Sequence, residues 1–335
     1  MNLPEPAHPG RSCPADYRTP PGALAAAPAF AADTLYVVGG LYGNAFALDA
    51  LLARAAREPS PPRIVFNGDF HWFDADPDTF SRVQADVLRH TALRGNVETE
   101  LAHDDRGAGC GCGYPSSVGD AEVERSNRIM AQLAATAQAL PAARAALAAL
   151  PATLVASVGD LRVGIVHGDA DSLAGWRYGQ ENLATTGARN ALAADFDANT
   201  LRVIASSHTC LPVATAIAAQ GGRCALINNG AAGMPNFTGT QYGLITRIAC
   251  TPAPDALYRT VLEGVSIEAL PLHYDAAAAL QAFDRQWPAG SPAAVSYRAR
   301  MVRGPAYAPA QALRGHFEPL PIATPTARHP ALEGS

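Results

Sequence analysis

A chain of 335 residues that is 48% apolar and 16% charged can bury a sizeable core, which excludes a disordered polyelectrolyte. Its net charge of −5 suggests no nucleic-acid partner, and it contains no uncharged apolar run of the length, about 18 residues, that a membrane-spanning helix needs. Six cysteines, irregularly spaced apart from Cys110 and Cys112, do not make a disulfide scaffold, so a reducing cytoplasm is the expected setting. Gly22 to Asp33 has the small residues of a signal core, but Pro28 breaks it and no short basic start precedes it.

Residues 1–32, rich in proline and alanine, read as an extension that wraps or dangles. From Thr34 the pattern alternates: TLYVVGG predicts a strand, AFALDALLARAAR a helix, RIVFNGD a strand, DTFSRVQADVLRH a helix and TALRGN a strand. A Gly- and Cys-rich insertion at about residues 103–119 precedes a long helix that begins at Asp120, and a second helix follows Pro141. ATLVASVGDLRVGIVHGD predicts two strands turning at Gly159 and Asp160; LRVIASSH, CALINNG, YGLITRI and VLEGVSIEALPL predict a second block of strands. Asp275 to Trp287 reads as a helix, SYRARMVRG as a strand or helix, and the rest as a proline-rich tail. The expected organisation is an extension (1–32), one α/β domain (33–275) and a C-terminal helix and tail (276–335), with ligands at the carboxyl ends of the strands.

Four turns carry metal-ligating side chains directly after β-type runs: Asp69 in FNGDFH, Asn96 in RGNVE, His167 in IVHGD and His208 in ASSHTC. A carboxylate, an amide oxygen and two imidazoles suit Mn²⁺, Fe or Zn²⁺. Any one of these turns alone is weak evidence, but four in order are specific.

In these turns, over roughly Thr34 to Asp275, the chain resembles the calcineurin-like metallophosphoesterases. The resemblance implies a four-layer αββα sandwich around a two-metal centre with, in order, Asp-x-His, Gly-Asp, Gly-Asn-His, Gly-His and Gly-His-x-His turns. One metal of that family uses the ligands that stand here as Asp69, Asn96, His167 and His208. The positions that serve the other are Gly40, Tyr42, the shared Asp69 and Cys210. One divalent ion is therefore expected, with the second site absent. The histidine that assists the leaving group in the family is here Val97, and His71 or Glu98 are substitutes close in sequence.

Other candidates stay open at this point. His71 is a replacement acid or a turn residue beside Trp72; Tyr42 is a hydroxyl donor, a phenolate ligand or packing at the mouth. Cys110, Cys112 and Cys210 form a soft-metal, redox or nucleophilic site, or else a flexible lid and a small buried hydrophobe. Since neighbouring Cys-x-Cys residues rarely bond to each other, a partner from outside is expected. Arg125 and Arg128, about one helical turn apart, are candidates for substrate oxygens or a solvated face. The implied activity is hydrolysis of a small phosphorylated or related substrate, with homo-oligomerisation left open; the alternatives are a non-catalytic metal- or ligand-binding protein and a thiol-dependent enzyme.

Overall fold

Strand Thr34–Val38 is buried on both faces, which is why it reads as a continuous apolar run. Leu35 and Val37 face one core while Tyr36 and Val38 face another, because successive side chains of a strand point to opposite sides. The computed structural model to which this strand belongs describes residues 8–104 and 107–321. Residues 1–7 of the expected extension, 105–106 of the insertion and 322–335 of the tail lie outside the described residues.

Two seven-stranded sheets form the centre. In one, Thr34–Val38, Arg63–Asn67 and Thr91–Leu93 run parallel, and Gly243–Ala249 and Val265–Leu272 continue the sheet antiparallel on the other side. In the second, Leu161–Val166, Val203–Ser206 and Gly222–Asn228 run parallel, and Thr153–Val158 closes a hairpin at Gly159. Leu35, Val37 and Val65 of the first sheet meet Val163, Ile165, Val203 and Ile227 of the second in one buried cluster. Each such fully buried Leu, Val or Ile contributes about 1.5–3 kcal/mol.

Helices cover the outer faces. Leu48 and Leu51 of helix Ala45–Ala55, Phe80 and Val83 of Pro77–Val87, and Ile129 and Leu133 of Asp120–Gln138 pack on the first sheet. Leu192 and Phe196 of Thr186–Asn199 pack on the second. The four layers are those expected, αββα. Asp275 caps helix Ala276–Gln286, and the segment left open as strand or helix is the helix Pro292–Arg303.

The described part of the N-terminal extension wraps. Gly10 donates to Ala108 O (2.7 Å) and accepts from Tyr114 N (2.9 Å), Arg11 donates to the carbonyls of Pro115 and Val118, and the Tyr17 hydroxyl donates to Glu100 (2.5 Å). Asn127 ties the insertion to both, accepting from Cys110 N and donating to Pro9 O. The insertion is thus strapped down across the carboxyl ends of the strands.

Candidate metal centre

Parallel register brings the ends of Thr34–Val38, Arg63–Asn67 and Thr91–Leu93 level with one another, and those of Leu161–Val166 and Val203–Ser206 do the same in the opposite sheet. Gly68 lets the turns close up: a Cβ there would lie 2.6 Å from Gly95 Cα and 2.6 Å from His167 Nδ1. The backbone then puts Asp69 in the left-handed region, φ 54°, a conformation held only where surroundings enforce it. Glu98 does so, its buried carboxylate accepting from the backbone N–H of Asp69 (2.7 Å), Phe70 (2.9 Å) and Gly95 (2.8 Å). One side chain thereby locks the Asp69 turn to the Asn96 turn. This role, and not that of a spare acid, is the one the structure gives Glu98.

Four acceptor atoms converge beside it. His167 Nδ1 faces Asn67 O at 2.8 Å and must donate there, which leaves the Nε2 lone pair free. His208 Nε2 faces Cys112 O at 3.0 Å, which leaves its Nδ1 lone pair free. Asn96 Nδ2 donates to Cys110 O (2.9 Å), so its Oδ1 is turned inward. His167 Nε2 lies 3.2 Å from His208 Nδ1, 3.2 Å from Asn96 Oδ1 and 3.3 Å from Asp69 Oδ1. With neutral imidazoles these four atoms hold no proton to share among themselves. Ligands about 2.0–2.1 Å from a common tetrahedral cation stand roughly 3.3 Å apart, so the set fits one divalent ion of borderline character. Asp69, His167 and His208 are all buried.

The electrostatics set the two imidazoles apart. Burial, then repulsion from His167, pushes His208 down to about 3, which keeps it neutral. Burial acts the same way on His167, but the Asp69 carboxylate outweighs it and raises the group above its ordinary value. Asp69 is held below the usual carboxylate range because the two imidazoles outweigh its own burial.

The neighbouring corner is filled. A Cβ on Gly40 would stand 2.9 Å from Tyr42 Cζ and 3.1 Å from its hydroxyl, so the Tyr42 ring occupies the space that a side chain at 40 would need. The Tyr42 hydroxyl donates to Cys210 Sγ (3.1 Å), and that thiol donates to His208 O (3.1 Å). Burial pushes the Cys210 thiol up, so it stays protonated.

Several expectations are corrected. His71 is fully buried and stacked on Phe80, with Nδ1 on Asp74 (2.6 Å) and Nε2 on Gln84 (3.2 Å); both ring nitrogens are committed away from the ligands. Arg125 is bound to Glu122 and Ser296, and the exposed Arg128 to Glu124, and neither lines the cavity over the ligands. Cys110 and Cys112 have their sulfurs bonded to each other and need no outside partner, while Cys210 is a free thiol. The Cys110 carbonyl orients Asn96, whose Nδ2 also reaches Cys112 Sγ at 3.7 Å, and the Cys112 carbonyl orients His208.

That cavity has about 30 Å³ of water-accessible volume, and about 330 Å³ of space counting its open mouth. Besides the ligands, Val97, Cys112 and Cys210, five aromatic side chains line it: Tyr42, Trp72, Tyr114, Trp176 and Tyr297. Trp176 donates through its indole N–H to Cys112 O (2.9 Å) and sets its ring edge-on to His208. Apart from Tyr42, this rim escaped sequence reasoning, since its members come from segments far apart and no spacing connects them. Among the described residues no helix is long and apolar enough to cross a membrane.

No family model matches the sequence, and no curated protein matches it. Solved structures do match. A metallophosphoesterase from Sphaerobacter thermophilus is 18% identical with a TM-score of 0.51, over 81% of this chain and 100% of that one. The hypothetical protein PH1004 from Pyrococcus horikoshii OT3 is 16% identical with a TM-score of 0.56, over 82% and 99%. At these identities the likeness concerns architecture, and the two packed sheets with their outer helices agree with it: the chain has the fold of the calcineurin-like metallophosphoesterases.

Proposed function

We propose that this protein is a hydrolase of phosphoesters or related small electrophiles, built on one divalent cation held by Asp69, Asn96, His167 and His208. The observation that carries the reading is the convergence of four acceptor atoms whose other hydrogen-bonding partners are already fixed. Mn²⁺, Fe or Zn²⁺ bound there would supply Lewis acidity toward the substrate oxygen and acidify a water. The chain's own residues do the rest. Asn67 O and Cys112 O hold the two imidazoles in the tautomers that ligation needs, and Glu98 fixes the turn that aims Asp69. Tyr42 fills the space of a second ion, which favours a mononuclear centre.

Apart from the ligands, the cavity lining offers no imidazole or carboxyl group among the described residues, and Val97 stands where an acid would serve. A missing acid costs on the order of 10²- to 10⁴-fold, so leaving groups that depart as weak bases are favoured. A cytoplasmic, soluble setting and a small phosphorylated substrate belong to the same proposal.

The competing reading, a metal- or ligand-binding protein without turnover, rests on that missing acid. A thiol-centred enzyme has less support, because burial keeps the Cys210 thiol protonated. Metal analysis of the purified protein, together with a screen of aryl phosphates, phosphodiesters and nucleotides over Mn²⁺, Fe²⁺ and Zn²⁺, decides among them. One ion per chain and turnover that both vanish in His167→Ala support the proposal. Absence of stoichiometric metal, or full activity in that variant, overturns it; retained metal with no turnover selects the second reading.

A further inference from the structure

We infer that the site selects phosphodiester monoanions bearing an aromatic arm over phosphomonoester dianions. The inference deepens the hydrolytic reading and rests on it for the reaction, though it concerns binding first.

Charge supplies the first argument. No lysine exists in the chain, and among the described residues no arginine lines the cavity. Arg125 and Arg128, the candidate cations on the helix after the insertion, are spent on Glu122 and Glu124. Arg300 comes close, but its guanidinium donates to the carbonyls of Cys210 (2.8 Å) and Pro235 (2.9 Å). Among the described residues Asp69 is the one charged side chain in that lining, so a divalent cation held there would leave one net positive charge. A phosphodiester neutralises that charge. A phosphomonoester near neutral pH brings close to two negative charges and would leave one uncompensated in a partly desolvated place.

The mouth supplies the second. Tyr114, Trp176 and Tyr297 are partly exposed, and with the buried Trp72 they present aromatic surface: Tyr114 lies 5.8 Å from Trp176, and Trp72 meets Tyr297 edge-on at 6.5 Å. Such a rim favours a planar group by stacking. A diester has two arms, so one can leave while the other remains on the rim. With no acid at Val97, the departing arm is best a phenol-like group that leaves as the anion, its phosphorus–oxygen bond breaking as water oxygen bonds to phosphorus and the water's proton passes to bulk solvent.

The test uses the metal-loaded, full-length protein at pH 8 and three probes titrated by calorimetry: diphenyl phosphate, phenyl phosphate and diethyl phosphate. Diphenyl phosphate is a monoanion with rings, phenyl phosphate a dianion with a ring, diethyl phosphate a monoanion without one. Diphenyl phosphate should bind roughly tenfold tighter than either, the lower range of what one stacked ring or one unmatched charge is worth. Tyr297→Ala should erase most of its margin over diethyl phosphate, with metal content unchanged. Equal or tighter binding of phenyl phosphate overturns the charge argument, and equal binding of diethyl phosphate overturns the aromatic one; either result sinks the inference. Turnover of bis(4-nitrophenyl) phosphate against 4-nitrophenyl phosphate, which share a leaving group, should favour the diester. If neither ester turns over while the probe ranking holds, the hydrolytic reading falls and the selectivity of the site stands.

Discussion

Two corners of the same strand-end platform are built in opposite ways. In one, Asp69, Asn96, His167 and His208 aim acceptors at a common point, and each is braced from behind by Glu98, Asn67 O, Cys110 O or Cys112 O. In the other, Gly40, Tyr42 and Cys210 leave no comparable set: the phenol ring lies over the glycine and its hydroxyl is satisfied by the thiol. The difference shows that changes in the second corner are coupled by packing. A Cβ at 40 and the ring of Tyr42 would overlap, so a substitution at one of these positions is felt at the other. Three of the six non-glycine residues with positive φ among the described residues, Tyr42, Asp69 and Cys210, sit on this platform. Strain has been kept in both corners, but only one retains acceptors that call for a cation.

The comparison breaks most visibly if ligands are removed from each corner in turn. His167→Ala should lower metal affinity by at least 10²-fold, more than the 10- to 100-fold typical of an outer-sphere partner. Cys210→Ser should leave metal content where it was. Inductively coupled plasma analysis after dialysis reads both. Equal losses from the two variants would mean that the second corner takes part in binding, contrary to the packing described.

Refilling the second corner sharpens the point. Gly40→Asp places a Cβ against the Tyr42 ring at φ 63°, which combines overpacking with a left-handed backbone. A loss of about 2–4 kcal/mol follows, from roughly 1–3 for the clash and about 1 for the backbone. Adding Tyr42→Ala removes the clash and should return the part of the loss due to it, a coupling within the roughly 0.5–3 kcal/mol range of residues in contact. Urea titration of the two single variants and the double variant measures it. Strict additivity would show that the ring does not hold the space.

The fold was legible because Thr34–Val38, Arg63–Asn67 and Leu161–Val166 are apolar runs ended by glycine turns, a local signal that survives loss of any one ligand. The four acceptors were legible for the same reason, each following its strand directly. His71 misled because it is only two residues from Asp69, yet the left-handed turn at Asp69 sends it into a buried cluster with Asp74, Gln84 and Phe80. Arg125 and Arg128 misled because helical spacing shows that two cations are neighbours without showing that Glu122 and Glu124 already hold them. The aromatic rim and the two cysteine carbonyls left no sequence trace: a carbonyl is common to every residue, and what makes these two specific is the strap of residues 8–17 holding the insertion in place.

Proton competition gives the last and smallest contrast. In the metal-free protein His167 has a raised pKa, because Asp69 outweighs burial, so its stabilising charge is present at acid pH and fades as pH rises through the folded value. His208, pushed down by burial to about 3 from 6.5, acts in reverse: the unfolded chain takes up a proton that the fold refuses, and stability is lost as pH falls through that window. The cation needs both rings neutral. Above the raised pKa of His167, these groups give its binding no pH dependence; below it, each unit of pH costs about tenfold in affinity, or about 1.4 kcal/mol. The gap in melting temperature between metal-loaded and metal-free protein should therefore be flat at alkaline pH and narrow steadily toward acid. A gap that is constant from pH 8 to pH 5 would mean that the ion does not displace a proton from the His167–Asp69 pair, and the intact corner would lose its claim to be the binding site.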